Sequence, residues 1–393
     1  MIQRRSFVKT LGCALSSGWM LSGESGPASG ETADHKKPVP VIDITDLYHP
    51  HQDVGDNMDL IAAYALPEID LKAVILDATD AYRHRGTEGQ LQAYRDETGP
   101  RDPGIIPVSQ LNYIFDRNIP YGISPFTPLK DPSDQALDAP RFQLSGIDLI
   151  FKVLRESPVP VDILSFGSPR ALAVAYNRDP DLMRRKVRRI HLAAGSSSTK
   201  FLEWNVMLDP NAMACLLRSD LPVAIYPCGT EEGAMALGRN NSFWKLENLE
   251  FIHRMHPLLQ NYLIYAFERS ARSDFLGMLE ETPSEEALQR ITKRSHNVWE
   301  TALWAQVAQR ELVQQTDGKY RLVPRSNIRS SDIVNLQKLV PCRLEADEKG
   351  LFTFSPSDKS SNFSIYERED PKQNEAAFRD ALPALYESFN PRA

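Results

Sequence analysis

Between Val39 and Tyr226 the chain alternates short apolar runs with helical patterns of about ten residues, and that rhythm leaves little choice of architecture. The runs Val39–Ile44, Leu71–Leu76, Pro120–Ile123, Val161–Phe166, Ile190–Ala194 and Val223–Tyr226 have the length and apolar character of buried strands. Helical spacing separates them at Leu60–Leu66, Pro107–Asn118, Ile147–Glu156 and Ala171–Tyr176. Strands alternating with helices imply βαβ units. The expected fold is therefore α/β, a mostly parallel sheet flanked by helices and Rossmann-related. From Asn241 the pattern turns helical. The C-terminal part returns to short strands near Leu339–Phe354 and a final helix near Asn374–Phe389.

The first strand runs into the most acidic turn of the chain. Within VIDITDLYHPHQDVGDNMDLIAAYA (Val41–Ala65), Asp46, Asp53, Asp56 and Asp59 fall inside fourteen positions. In an open parallel sheet a strand-to-helix turn lies at the carboxyl edge, where ligands bind. Carboxylate oxygens gathered there suit Ca²⁺ or Mg²⁺ better than zinc or copper. Asp56 also reads as a helix cap and Asp59 as part of an acidic first turn, which leaves Asp46 and Asp53 unassigned. His49 and His51 lack a partner at helical spacing, so a transition-metal site is not indicated. The chain has no GxSxG elbow, which argues against a serine hydrolase.

With 393 residues and 42% hydrophobic content the chain can build one large α/β domain, and its net charge of −7 argues against nucleic-acid binding. The basic cluster Arg184, Arg185, Lys186, Arg188 and Arg189 reads as the solvated end of a helix. The amino terminus, QRRSFVKTLGCALSSGWMLSG, resembles a twin-arginine export signal, with Arg4, Arg5, Phe7 and Lys9 in the expected places. Its apolar stretch is too short and too polar to span a bilayer. The expected organisation is a signal over 1–30, a linker over 31–37 and a single domain over 38–393 with a C-terminal extension from about 311. The expected location is periplasmic or secreted. Arg83–Arg101 and Thr127–Pro140 read as surface loops. Cys215, Cys228 and Cys342 form an odd set without CxxC spacing. Neither a disulfide framework nor a zinc site is indicated, although one disulfide is open to an exported protein.

A second segment, FLEWNVMLDP (Phe201–Pro210), follows a strand and the small-residue loop Gly195–Ser198. Together with Thr45, Asp46 and Asp59 it resembles the inosine-uridine-preferring nucleoside hydrolase family. That family opens with a DTDxGxDD-type loop and later carries EFNxxxDPEA, where this chain has Glu203, Trp204, Asn205, Asp209 and Pro210. Ser165–Leu182 resembles the family's ALGPLTNLA segment, and Leu221–Thr230 resembles the strand after its EFN motif. The similarity runs from about Val39 to Val307.

The resemblance implies a nucleoside hydrolase-like fold and calcium-dependent hydrolysis of a ribosyl N-glycosidic bond, in a nucleoside or related sugar derivative. Such a reaction passes through a ribosyl cation-like state, so the site must deliver a water, hold the sugar hydroxyls and favour positive charge. The resemblance implies that Asp46 is both general base and metal ligand, that Asp59 and Glu300 are ligands, and that Arg170 contributes its carbonyl. Asp56, Asp77, Glu203, Asn205 and Trp299 would contact the substrate. The Trp299-Glu300 pair stands where the family has His-Asp, and tryptophan cannot protonate a leaving base as histidine does; His296 is an alternative donor. Leu47–Asp53 lengthens the acidic loop, and Met58 precedes Asp59. The other reading is a non-catalytic, calcium-dependent sugar- or nucleoside-binding protein of the same fold. The expected partner is a small ribosyl or sugar substrate, with no nucleic acid and no stable membrane span, and family members are commonly homo-oligomers.

Overall fold

Strands β1 (Val39–Thr45), β2 (Ile69–Leu76), β3 (Tyr121–Ile123), β4 (Val161–Ser165), β5 (Val187–Leu192) and β6 (Val223–Ile225) form the parallel heart of a nine-stranded sheet. A computed structural model describes residues 37–47, 54–77, 79, 104–268, 270, 272–357 and 361–391. The intervening helices are α1 (Val54–Ala65), α2 (Ile105–Ile114), α3 (Ser145–Glu156), α4 (Arg170–Arg178), α5 (Pro180–Lys186), α6 (Trp204–Leu208) and α7 (Pro210–Leu217). The mostly parallel, helix-flanked α/β architecture expected from the sequence is what the chain forms. β1 is wholly buried, as befits a strand covered on both faces. One core, containing Val41, Leu164 and Ala224, lies on one side of the sheet; a second, containing Ile42, Ile44 and Ile163, lies on the other.

The chain continues through β7 (Trp244–Leu246), α8 (Pro257–Phe267), α9 (Glu285–Thr292), β8 (His296–Val298), α10 (Thr301–Val307), β9 (Arg310–Gln314), β10 (Tyr320–Pro324) and β11 (Ile333–Val334). It ends with β12 (Gln337–Ala346), β13 (Phe352–Pro356), β14 (Phe363–Arg368) and α11 (Pro371–Glu387). The expectation of continuous helical character after Asn241 needs correction. β7 and β8 pair antiparallel there, and Glu311–Val313 lies in β9. Strands of three residues are too short to show a period of two, so a helical pattern on either side masks them.

The sheet order is β13-β12-β14-β6-β5-β4-β1-β2-β3. β14 pairs parallel to β6, whereas β12 pairs antiparallel to both β14 and β13. The order reverses at β1, which has β2 on one side and β4 on the other. A crevice opens beyond the carboxyl ends of strands at such a reversal. Of the basic cluster, Arg184, Arg185 and Lys186 end α5 as expected, with Arg184 paired to Asp181 and Asp220, whereas Arg188 and Arg189 belong to β5, where Arg188 pairs with the buried Asp162. Cys215, Cys228 and Cys342 are buried and form no disulfide among the described residues. Among the described residues no helix is long and apolar enough to cross a membrane. The expected export signal, Asp53, His49, His51 and the Arg83–Arg101 loop lie outside the described residues.

Candidate active site and metal centre

Strand ends and the turns after them deliver the site. Asp46 follows β1, Asp77 follows β2 and Gly167 follows β4. A Cβ on Gly167 would lie 2.9 Å from Asp77 Oδ2 and 3.1 Å from the Asp46 Cβ. Two buried carboxylates therefore flank a single backbone position at the strand reversal, and any side chain there would push them apart. Leu47, directly after Asp46, has φ of 28°, a conformation that non-glycine residues seldom adopt. The Leu47 N–H donates to Thr45 Oγ1 at 3.4 Å.

α1 carries the acidic turn onward. Asp56 and Asp59 stand three residues apart and so share a helix face. Oxygens of Asp56, Asp59 and Glu300 lie within 4.8 Å of one another, and all three residues are buried. Asp46 joins them through a side-chain hydrogen bond with Asp56. Each of the three carboxylates is aimed by a donor. Thr45 Oγ1 donates to Asp56 Oδ2 at 3.2 Å, the Trp299 amide donates to Glu300 Oε2 at 2.8 Å, and the Trp304 indole N–H donates to Asp59 Oδ1.

Burial raises the Asp56 carboxyl above its ordinary range, against the opposing pull of hydrogen bonds from Asp46, Thr45 and the Leu47 amide. Burial, reinforced by Asp56, holds Asp43 well above that range too, and neither Asp43 oxygen has a hydrogen-bond partner among the described residues. Gathering this many buried carboxyls is unfavourable unless protons or a cation offset their charge. The donor set is oxygen alone. A hard divalent cation fits it; a thiophilic one does not.

Two aromatic hydroxyls hold the turn between the aspartates. Tyr262 of α8 donates to Asn57 Oδ1 at 2.9 Å, and Tyr386 of α11 donates to the Met58 carbonyl at 2.6 Å. Trp244 in turn donates from its indole to Thr301 Oγ1 at 3.2 Å and stacks on Phe378, tying α10 and α11 together. These anchors come from the C-terminal half of the chain, and sequence reasoning missed them because tyrosine and tryptophan in amphipathic helices read as core.

The other expected residues take distinct places. Glu203 caps α6: it accepts from the amides of Asn205 and Val206, and also from that of Gly195 at 2.8 Å. Burial pushes its carboxyl up to about 7. Asn205 donates to the carbonyls of Ala193 and Phe166, at 2.8 and 3.2 Å, bridging the ends of β5 and β4. Trp299 donates its indole N–H to the carbonyls of Cys228 and Ala234, at 2.9 and 3.0 Å, and packs on Phe243. Burial lowers His296 to about 3, so it is neutral at ordinary pH.

Asp77 accepts from Ser124 Oγ at 2.8 Å and from the Ser168 amide at 2.9 Å. Asp56, expected at the sugar, stands in the carboxylate cluster beside Asp59 and Glu300. Arg170 opens α4, and beyond the backbone role expected of it, its side chain reaches a buried ion pair with Asp209 at 2.8 Å.

No protein-family model matches the chain. Over 180 residues it is 30% identical to the pyrimidine-specific ribonucleoside hydrolase RihA of Citrobacter koseri, and 29% identical to that of Escherichia coli O1:K1. Each match takes in 43% of this chain and 55% of the relative, so the chain spans about half the length of the curated relatives it matches. Among solved structures, a plant nucleoside hydrolase aligns over 88% of this chain and 99% of its own, at 16% identity and a TM-score of 0.49. The resemblance first seen in the EWN and DP residues thus extends to curated ribonucleoside hydrolases, as divergent relatives.

Proposed function

We propose that this divergent relative of the nucleoside hydrolases cleaves a ribosyl N-glycosidic bond, with calcium held by Asp56, Asp59 and Glu300 and with Asp46 beside them. The observation that carries this reading is the convergence of the three buried carboxylates at the strand reversal. When bound, a hard divalent cation supplies acidification of a water and a fixed point for a sugar diol. Asp46, beside the carboxylates that would hold the cation, would take a proton from the attacking water as general base. Asp77, across Gly167 from Asp46, accepts a sugar hydroxyl. The excess of negative charge around the crevice favours the cationic character that develops on the ring.

Trp299 is not the proton donor. An indole N–H has no proton to give at ordinary pH, and this one is engaged by two carbonyls. Its part is to hold the Cys228–Ala234 loop against the site, and the Glu300 carboxylate through its own amide. Export through the paired-arginine segment, with a mature domain beginning near Pro38, belongs to the same proposal, as does assembly into a homo-oligomer.

Incubation with calcium and a panel of nucleosides, followed by assay of free ribose, tests the reaction. Release by the wild type that falls to background in Asp46→Asn is the expected result. Background from both proteins would overturn the enzyme reading. Metal analysis tests the centre separately: a protein that takes up no calcium, and whose melting temperature does not move when calcium is added, contradicts it.

A further inference from the structure

Arg170 is one of two arginines among the described residues with no solvent exposure. Its Nε donates to Asp209 Oδ2 at 2.8 Å, its Nη1 to the Pro125 carbonyl at 2.9 Å, and its Nη2 to Thr79 Oγ1 at 3.0 Å and the Leu208 carbonyl at 3.2 Å. Nη1 also stands 3.9 Å from Asp77 Oδ1. A guanidinium sealed this completely is tolerated only when its donors are met, and its rigid fork meets several directions at once. Most of these partners are architectural: they join the loop after β3, the start of α4 and the α6–α7 junction.

Asp77 differs from the rest because it follows β2 at the carboxyl edge of the sheet and stands across Gly167 from Asp46, with Ser124 and the Ser168 amide donating to its two oxygens. Its Oδ2 lies beside the same backbone position as Asp46, while its Oδ1 is turned toward Ser124 and Arg170. A buried carboxylate at this point needs a nearby cation, and Arg170 is the cation within 4.0 Å of it among the described residues. We infer that Arg170 is a positioning residue, which fixes the Asp77 carboxylate beside Asp46 so that Asp77 accepts a sugar hydroxyl of the substrate. This rests on the hydrolase reading. Arg170 itself touches no substrate and acts through Asp77.

The test is a double-mutant cycle on the calcium-loaded, full-length protein, with a ribonucleoside as substrate and with its Kd measured by calorimetry. Asp77→Asn places an amide among hydrogen-bond donors, and Arg170→Gln removes the fork. Each single variant should raise KM and Kd about tenfold while kcat changes less than about threefold. In the double variant the loss of Arg170 has no Asp77 carboxylate left to act through, so KM should stay near that of Asp77→Asn alone even though the melting temperature is lowered by loss of the Asp209 contact.

That split separates positioning from mere support. Arg170→Lys serves as a second probe where Arg170→Gln folds poorly; it keeps the charge but loses the fork, and a raised KM with near-normal kcat supports the assignment. A double variant whose KM is the product of the two single effects overturns it. So does an active wild type whose KM is unmoved by Asp77→Asn. A wild type that neither binds nor cleaves a nucleoside overturns the hydrolase reading, and the role of Arg170 falls with it.

Discussion

The Tyr386 hydroxyl donates to the Met58 carbonyl across 328 residues of sequence, at 2.6 Å and out of contact with water. Met58 lies between the two aspartates of the carboxylate cluster, so this bond fixes the backbone that aims them. Removing it with Tyr386→Phe should preserve the packing on Phe251 and Phe389. The expected loss is about 1 kcal/mol of stability. Calcium affinity should fall several-fold, read by calorimetry, with circular dichroism unchanged.

Chelation should destabilise the protein. A cation bound to the folded state alone contributes about 3 kcal/mol when present at a hundred times its Kd, so EDTA should lower the melting temperature by several degrees and calcium should restore it. Asp59→Asn should abolish the restoration. Calorimetric melting of the two proteins with and without calcium checks both statements.

Glu203 makes stability depend on pH. Its folded pKa of about 7 lies above the ordinary 4.5, so the folded protein keeps a proton that the unfolded chain has already released. Stability from this group therefore falls as pH rises from 4.5 to about 7 and levels off above, a total on the order of 3 kcal/mol. Glu203→Gln, which cannot titrate, should show a flatter profile across that window in urea denaturation at several pH values.

Trp299→Phe leaves the Cys228 and Ala234 carbonyls without their shared donor. The loop should loosen, raising KM by about tenfold, while kcat changes less than threefold because the indole is not the acid. A loss confined to kcat would restore Trp299 to a direct chemical role. Steady-state kinetics on the best nucleoside of the panel decides.

Gly195 sits at φ of 85°, and a Cβ there would meet the Phe352 ring at 2.5 Å. Gly195→Ala combines backbone strain with overpacking and should cost about 2–4 kcal/mol, measured by denaturant unfolding. It should also disturb Glu203, which accepts the Gly195 amide.

The strands and helices from Val39 to Tyr226 were legible because buried parallel strands are continuous apolar runs, and such runs need no knowledge of their partners. The insertion of β14 beside β6 was not legible, since nothing in FSIYER states which strand it will pair with. The acidic turn was legible by its spacing, and Glu300 only through the resemblance of Trp299-Glu300 to a family His-Asp pair. The arrangement among them was not. Asp56 reaches the cluster through the fold of α1, and Trp304 reaches Asp59 from 245 residues away. Arg170 shows the same limit from the other side. An arginine opening an apolar helix reads as exposed, and only the three segments that close over it, around Thr79, Pro125 and Leu208–Asp209, make it a buried hub.

The distance in sequence between Met58 and Tyr386 also sets a clock. A ribosome has delivered β1 and the acidic turn long before α11 exists, so the nascent chain carries its aspartates without the clasp that shapes them. The same delay holds for the sheet, whose β6 waits for β14. Pairings of such long range close slowly. The clasp on the acidic turn thus closes late in the life of each molecule, once synthesis has run through α11.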